Sequence, residues 1–232
     1  VDERIDFRGE VVTPLSREHA RRAVEGLLAA GIEALAICTL WSFRNPAHER
    51  LLRGVAHELA PELFVTISSE LVPVIKEYER MGTTVANAYL GPVVRRYIAG
   101  MGRDLADNGF RREFFMLNSV GGVIPPDEAA EKPVQLLGSG PSGGVLAAQR
   151  LAARLGYANV ITADTGGTSF DVGVIVGGQP LLVNEAVVGT MNLLNPMIDI
   201  RSIGAGGGSI AYAAEGALKV GPQSAGAVPG PA

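Results

Sequence analysis

The sequence predicts an α/β fold in two parts, and three observations predict it. Up to residue 67, helix-period apolar patterns alternate with short β-branched runs, which is how a β-α-β layer reads. After residue 156, short strands follow one another through glycine turns as consecutive antiparallel neighbours rather than as a crossover unit. Between them, Gly-Gly and Pro-Pro steps lead to Asp127, and a boundary is expected between there and Gly144. The expected division is 1–137 and 138–232.

Each element has its own signal. Ser16 is placed to cap a helix whose Ala20, Ala23, Val24, Leu27 and Leu28 recur at i, i+3 and i+4, and Gly31 stops it. Residues 32–40 read as a buried strand, 46–59 as a second helix and 63–67 as another strand. Over residues 84–101, Val85, Ala88, Tyr89, Val93, Tyr97 and Ile98 fall on one helical face, with Pro92 expected to start or kink a turn. A short strand is expected at 114–118. Residues 144–155 predict a helix with Val145, Ala148, Leu151, Ala152 and Leu155 on its inner face. Strands follow at 160–163, 172–176 and 181–183, with Gly177-Gly178 suiting a tight hairpin. Residues 197–203 and 209–213 suggest a further pair around the loop GAGGG.

Composition narrows the functional classes. With 47% hydrophobic and 19% charged residues, the 232-residue chain reads as a soluble globular protein of one or two domains. A chain of this length buries on the order of 70% of its unfolded surface. The net charge of -4 and the scattered basic pairs make no footprint for a phosphate backbone, so no nucleic-acid partner is expected. The single Cys38 excludes an internal disulfide, and no apolar run reaches the roughly 18 residues of a membrane span. The cytoplasm is the expected location. The chain begins without Met, and its last twelve residues, GPQSAGAVPGPA, have a loop composition, so a piece of a longer protein is expected.

One stretch carries more polar chemistry than a turn requires. In "DTGGTSFD", Asp164 and Asp171 flank Gly166, Gly167, Thr168 and Ser169 between two strands. The glycines permit positive φ and let successive N–H groups converge on an anion, while the hydroxyls add donors. Carboxylates beside phosphate make sense with a cation between them, where they hold the hydration shell of Mg²⁺ or orient an attacking water. The plain alternative is a hairpin whose Asp side chains cap their own backbone.

"DTGGTSFDVGVI" resembles the second phosphate loop of the actin-like ATPases, a ribonuclease H-like fold. A longer match is to the hydantoinase A, oxoprolinase and acetone carboxylase family. Its blocks "EYERMGTTVANAYLGPVVRRYI", "LNSVGGVIPPDEAAEKPVQLLGSGPSGGV", the phosphate loop, "PMIDIRSIGAGGGSIA" and "LKVGPQSAGAVPGPA" stand in that family's order over residues 78–232. "GIEALAICTLWSFRNPAHE" is similar to the end of the family's first domain. The resemblance implies the end of a first actin-like lobe and the start of a second. It also implies an ATP-dependent enzyme that phosphorylates and opens a cyclic amide, with a ketone carboxylase subunit or a non-catalytic ATP switch as alternatives. ATP, Mg²⁺, a small cyclic amide or carbonyl substrate and a hydantoinase B-type partner subunit are implied with it.

Carried onto this sequence, the resemblance makes Asp164 a holder of Mg²⁺ through water and Asp171 the residue that orients the nucleophile or shares the cation. Gly166, Gly167, Thr168 and Ser169 would contact ATP phosphates. Ser142 would lie near the nucleotide cleft, although helix capping is an equal alternative for Ser139 and Ser142. Gly204, Gly206, Gly207 and Gly208 would let backbone approach the ligand, or else form a hairpin. The family often has His at the place of Arg201, and a guanidinium cannot bind a metal, so Arg201 brings no ligand beside Asp199. Full-length relatives carry a first phosphate loop and an adenosine segment as well, whereas this sequence has the loop once. The expected clasp on ATP is therefore half present, and the chain alone is expected to be inactive. His19, His48 and His57 lack the spacing of a metal triad and read as solvated helix faces, while Cys38 in an apolar strand reads as a small core residue.

Overall fold

In the computed structural model, which describes residues 1–226, 228 and 230, the chain opens with a short antiparallel pair, β1 (Arg4–Ile5) and β2 (Val11–Thr13). Helix α1 (Arg17–Ala29) begins where Ser16 Oγ accepts the His19 N–H at 3.4 Å, and Gly31 ends it at φ +77°. Strand β3 (Ala34–Ile37), helix α2 (Ala47–Leu59) and strand β4 (Phe64–Ile67) form the expected β-α-β unit, with β3 and β4 parallel. Their apolar faces close on Ala20, Val24, Ile37, Leu52, Val55 and Ile67. His48 corrects the expectation of a solvated helix face. It is buried, with Nδ1 2.6 Å from Glu3 Oε2 and Nε2 accepting the Leu15 N–H, because the segments just before β1 and α1 fold over the start of α2.

After the short α3 (Ser68–Leu71), helix α4 runs from Glu77 to Asp107, well past both expected ends. Pro92 lies inside it and neither starts nor ends it. The expected inner face is largely wrong. Ala88 and Ile98 are buried, but Val85, Tyr89, Val93 and Tyr97 are exposed, and the helix instead buries Arg80, Thr83, Thr84, Asn87 and Gly91. Hydrogen bonds make this polar burial possible. Thr83 Oγ1 accepts the Leu194 N–H at 2.8 Å, and the Asn87 amide donates to Thr66 Oγ1 and the Glu131 carbonyl and accepts from the Val134 N–H. Gly91 is required by contact, since a Cβ there would lie 2.5 Å from the Phe64 ring.

The strand expected at 114–118 shrinks to β5 (Met116–Leu117), followed by β6 (Val123–Ile124), α5 (Pro126–Glu131) and a 3₁₀ turn at Pro133–Leu136. Helix α6 spans Ser139–Leu155, starting five residues before the expected 144. The remaining strands are β7 (Val160–Thr165), β8 (Phe170–Val176), β9 (Gln179–Pro180), β10 (Leu182–Val183), β11 (Ala186–Val188), β12 (Met191–Leu193), β13 (Met197–Ile198), β14 (Ile200–Ile203), β15 (Ser209–Ala214) and β16 (Ala217–Ser224). Two units result. One comprises Val1–Met116, Val123–Leu137 and Asn184–Asn195; the other comprises Leu117–Gly122, Gly138–Val183 and Pro196–Ala232.

The second unit is built on a sheet in the order β14-β8-β7, with β9 continuing from β8 through a two-residue turn at Gly177 and Gly178, both at positive φ as expected. Helix α6 covers one face through Val145, Leu146 and Ala148 against Val160, Ile175, Ile198 and Ile200. Leu151 and Leu155, expected inside, are exposed, because α6 meets the sheet mainly over its N-terminal half. The pair expected around GAGGG does not form. β14 joins β8, and β15 pairs instead with β16, which takes up Gly221–Ser224 of the tail expected to be loop. The rest of that expectation, at residues 227, 229, 231 and 232, lies outside the described residues. Among the described residues no helix is long and apolar enough to cross a membrane.

Candidate functional site

Antiparallel pairing of β7 with β8 sets Asp164 directly opposite Asp171, and β14 places Ser202 on the other side of Asp171. Residues in register across a sheet share a face, so Asp164, Asp171 and Ser202 form one row. A second row on that same face, Thr162, Gly173 and Ile200, lies against α6. Gly173 is what lets the helix come so near, because a Cβ there would stand 2.5 Å from Val145 and 2.8 Å from Thr162 Oγ1. A pocket of about 320 Å³ opens between the two layers, lined among others by Pro141, Gly144, Thr162, Asp164, Asp171 and Gly173. Asp164 is exposed and Asp171 half-buried, so both carboxylates face solvent or the pocket.

The turn joining the aspartates is held from two sides. Within it, the Gly166 N–H donates to the Ser169 carbonyl at 3.0 Å, and Ser169 Oγ donates to Asp171 Oδ2 at 3.2 Å. From outside, residues 204–208 lie across it as a strap. The Gly207 N–H donates to Gly166 O at 2.9 Å and the Gly208 N–H to Gly167 O at 3.0 Å. Ser209 Oγ accepts the Gly206 N–H, and Ser224 Oγ donates to the Gly208 carbonyl, each at 3.0 Å. In a trans peptide the C=O and the following N–H point in opposite directions. With the carbonyls of Gly166 and Gly167 turned to the strap, the N–H groups of Gly167 and Thr168 turn away from it, and among the described residues neither has an acceptor. Two adjacent N–H groups presented together form an anion-binding concavity.

Glycine serves this loop differently from the expectation. Neither Gly166 nor Gly167 adopts positive φ. Gly167 leaves open space, with nothing within 4 Å of where a Cβ would stand, whereas Gly206 is crowded, its Cβ position lying 2.6 Å from both N and C of Thr168. Thus Gly206 and Gly207 meet the backbone of the turn. Ser142 is fully buried inside α6, and its hydroxyl is engaged with the carbonyls of Ser119 at 3.0 Å and Gly138 at 2.8 Å. It acts there as a brace at the start of the helix, and a ligand would reach it only after that start moved. The cap of α6 is neither serine but Gly138, at φ +68°. Arg201 pairs with Asp199 at 3.1 Å and stands in register with Val172, on the face away from Asp171.

The carboxylate pair suits one kind of cation. No group of three or more His, Cys, Asp or Glu gathers among the described residues, which leaves Asp164 and Asp171 without a third protein ligand. Mg²⁺ fits such a site, since it keeps several waters and takes one or two carboxylates together with phosphate oxygens.

Residues 80–232 match the hydantoinase/oxoprolinase family, and residues 1–60 match that family's N-terminal region. The chain belongs to the hydantoinase/oxoprolinase family. Among its relatives in the family, caprolactamase subunit alpha of Pseudomonas jessenii is 38% identical over 229 residues, covering 98% of this chain and 33% of the relative. Acetone carboxylase beta subunit of Xanthobacter autotrophicus is 34% identical, covering 97% of this chain and 32% of the relative, and 5-oxoprolinase 1 of Arabidopsis thaliana is 34% identical, covering 95% and 17%. The chain thus spans about a third or less of these relatives' lengths. The crystal structure of the ATP-dependent caprolactamase from Pseudomonas jessenii superposes with a TM-score of 0.84 at 37% identity, over 99% of this chain and 33% of that one. A nucleotide-free acetone carboxylase superposes with a TM-score of 0.83 at 34% identity, over 97% and 32%.

Sequence reasoning missed the supports of the site. Thr162, Gly173, Ser202, Ser209 and Ser224 were silent, although period-2 alternation from Asp164 and Asp171 marks Thr162 and Gly173 as facing the same way. Nothing local points to Ser202 or Ser224, whose roles arise from pairings distant in the chain.

Proposed function

We propose that the intact protein is an ATP-dependent enzyme of the hydantoinase/oxoprolinase type that phosphorylates the carbonyl oxygen of a cyclic amide and so opens the ring. The observation that carries this reading is the pair Asp164 and Asp171, in register across a turn whose Gly167 and Thr168 N–H groups lack acceptors among the described residues. Those two N–H groups and the Thr168 hydroxyl would bind phosphate oxygens. The row Asp164–Asp171 would hold the hydration shell of Mg²⁺, which supplies neutralisation of phosphate charge when bound. Asp171, steadied by Ser169, would orient the attacking oxygen. A P–O bond to ADP breaks as one to the substrate oxygen forms; water then adds to the activated carbon, the ring C–N bond breaks as the nitrogen takes up a proton, and a second water hydrolyses the resulting acyl phosphate to carboxylate and inorganic phosphate. Catalysis of this kind comes from position and charge.

An actin-like lobe arrangement, divided near 137/138, is part of this reading; the antiparallel β14-β8-β7 layer under α6 supports it. Relatives named as subunits of caprolactamase and acetone carboxylase support a hydantoinase B-type partner subunit. The carboxylase relatives also favour a second reading, in which the phosphoryl acceptor is a ketone enolate. ATP hydrolysis by the intact protein separates the two. Stimulation by lactams, hydantoins or 5-oxoproline supports the amidohydrolase, and stimulation by a ketone with bicarbonate supports the carboxylase. An ATPase rate that ignores every small molecule and follows only a protein partner would replace both with a non-catalytic switch.

A further inference from the structure

Asp171 sits between a like charge and a hydroxyl. On β8 it stands in register with Asp164 of β7 on one side and with Ser202 of β14 on the other, so the three side chains share one face. Its Oδ2 accepts the Ser169 hydroxyl at 3.2 Å, while its Oδ1 has no donor among the described residues. The serines that follow the strap are committed elsewhere, Ser209 Oγ to the Gly206 N–H and Ser224 Oγ to the Gly208 carbonyl. Ser202 is exposed, and its hydroxyl has no partner among the described residues. Alternation along β14 turns Arg201 and Ile203 to the opposite face, so Ser202 is the polar side chain that this strand brings beside Asp171.

We propose that Ser202 is a positioning residue for Asp171, its hydroxyl donating to Oδ1 while Ser169 holds Oδ2. Directly opposed residues of an antiparallel pair have Cβ atoms about 4.5–5.5 Å apart, a gap that a serine hydroxyl and a carboxylate oxygen close by rotation of the Ser202 side chain alone. A carboxylate gripped at both oxygens has a fixed plane, and each oxygen keeps a lone pair for the group it is to orient. Fixed geometry is what orienting an attacking oxygen requires. In the open site the Ser202 hydroxyl exchanges one water for another; once ligand covers the row and displaces that water, its bond to the charged acceptor strengthens. The backbone beneath is held too. β14 is paired with β8, and the strap that follows Ser202 bonds the turn that precedes Asp171 through the Gly207 and Gly208 N–H groups. The inference rests on the proposed phosphoryl transfer, in which Asp171 orients the attacking oxygen, and adds the residue that aims it.

The hydroxyl itself is the variable to test. Ser202→Thr and Ser202→Val put side chains of similar size and branching on an exposed strand position, with and without that group. ATP turnover by the intact protein is measured with whichever of the lactams, hydantoins, 5-oxoproline or ketones stimulates it. Ser202→Thr should retain most of kcat, whereas Ser202→Val should lower kcat about tenfold with the KM for ATP unchanged and a thermal midpoint matching that of the Thr variant. A double-mutant cycle with Asp171→Ala then separates positioning from structure. If Ser202 acts through Asp171, Ser202→Val costs no further rate in single turnovers of the Asp171→Ala protein. Equal losses in the two backgrounds would overturn the assignment, and so would a Ser202→Val protein with wild-type kcat; either result leaves the ATPase reading standing, because it is obtained on a wild type that turns over ATP. A wild type in which no small molecule drives turnover fails the proposed function itself and takes this inference with it.

Discussion

Gly206 and Thr168 touch backbone to backbone: a methyl group on Gly206 would stand 2.6 Å from the Thr168 nitrogen. Through this contact the strap holds the turn between the two aspartates, and Gly207 and Gly208 fix the carbonyls of Gly166 and Gly167. Gly206→Ala therefore has to push the strap away and release those peptide planes. The expected outcome is a thermal midpoint lowered by a few degrees, equivalent to about 1–3 kcal/mol, together with loss of most of the midpoint increase that Mg-ATP is expected, on the proposed function, to give the intact wild-type protein. Gly167→Ala is the companion variant. Its Cβ enters open space and its φ is unstrained, so it should melt near the wild type, and on the proposed reading, in which phosphate fills that open space, it should lose only the ligand-induced increase. An undiminished increase in both variants would make the turn a plain hairpin.

Asp171→Asn tests the chemical assignment. The amide keeps the shape of the side chain and an acceptor for Ser169 Oγ, now 3.2 Å from Oδ2, but it removes the negative charge in register with Asp164. In the proposed reaction, turnover by the intact protein is expected to fall by roughly 10²-fold or more with nucleotide affinity largely kept. Wild-type turnover with a small loss of thermal stability would reduce Asp171 to a turn-capping residue.

The legible parts of the fold were those whose signals are local. Ser16 with Gly31, the β3-α2-β4 unit, the Gly177-Gly178 hairpin and the flanking of one turn by Asp164 and Asp171 follow from caps, period and turn chemistry within a few residues. Helix α4 was misread because apolar period identifies a buried face only when the helix buries apolar residues. Here Thr83, Asn87 and Arg80 are buried instead, made tolerable by partners at Leu194, Thr66, Val134 and Ser68 that no window around the helix contains. The strap was misread for a related reason. GAGGG between two strand-like runs looks like a hairpin, yet β14 finds β8 and β15 finds β16, so the glycines end against the turn between Asp164 and Asp171. In the candidate site, the aspartates and the glycine-rich turn were visible in one octapeptide, and the residues that orient them were not.

Cys38 is expected to be chemically quiet. Burial pushes its thiol above the ordinary value, outweighing the hydrogen bond to Ser68 and the nearby Arg80 charge, which pull it down. Little thiolate is present at neutral pH, and the half-buried sulfur is hard to reach. Alkylation of the folded protein by iodoacetamide should be at least tenfold slower than in denaturant at pH 7.5 and should accelerate only as pH rises beyond the usual cysteine range. Fast labelling of the native protein at neutral pH would mean that the loop after β3 opens readily.

Arg80 and Glu49 are both fully buried, with Nη1 3.9 Å from Oε1 and the Ser68 hydroxyl set between them, donating to Glu49 and accepting from Arg80 at 2.6 Å each. Glu49 also accepts the N–H groups of Thr39 and Ser69 at 2.8 Å, and Arg80 donates to the Thr39 carbonyl and to Ser42. The carboxylate of α2 thus ties the carboxyl ends of β3 and β4 to the first turns of α4. Removing one partner leaves a buried charge without its counter-ion, and Glu49→Ala or Arg80→Met should each cost about 3–5 kcal/mol in urea unfolding. Replacing both with apolar residues, as in Glu49→Leu/Arg80→Met, removes the uncompensated charge, so the double variant should lose clearly less than the two single losses together. Strict additivity would mean that the two charges do not feel each other and that the hydrogen bonds to Ser68 and the Thr39 and Ser69 backbone hold this junction on their own.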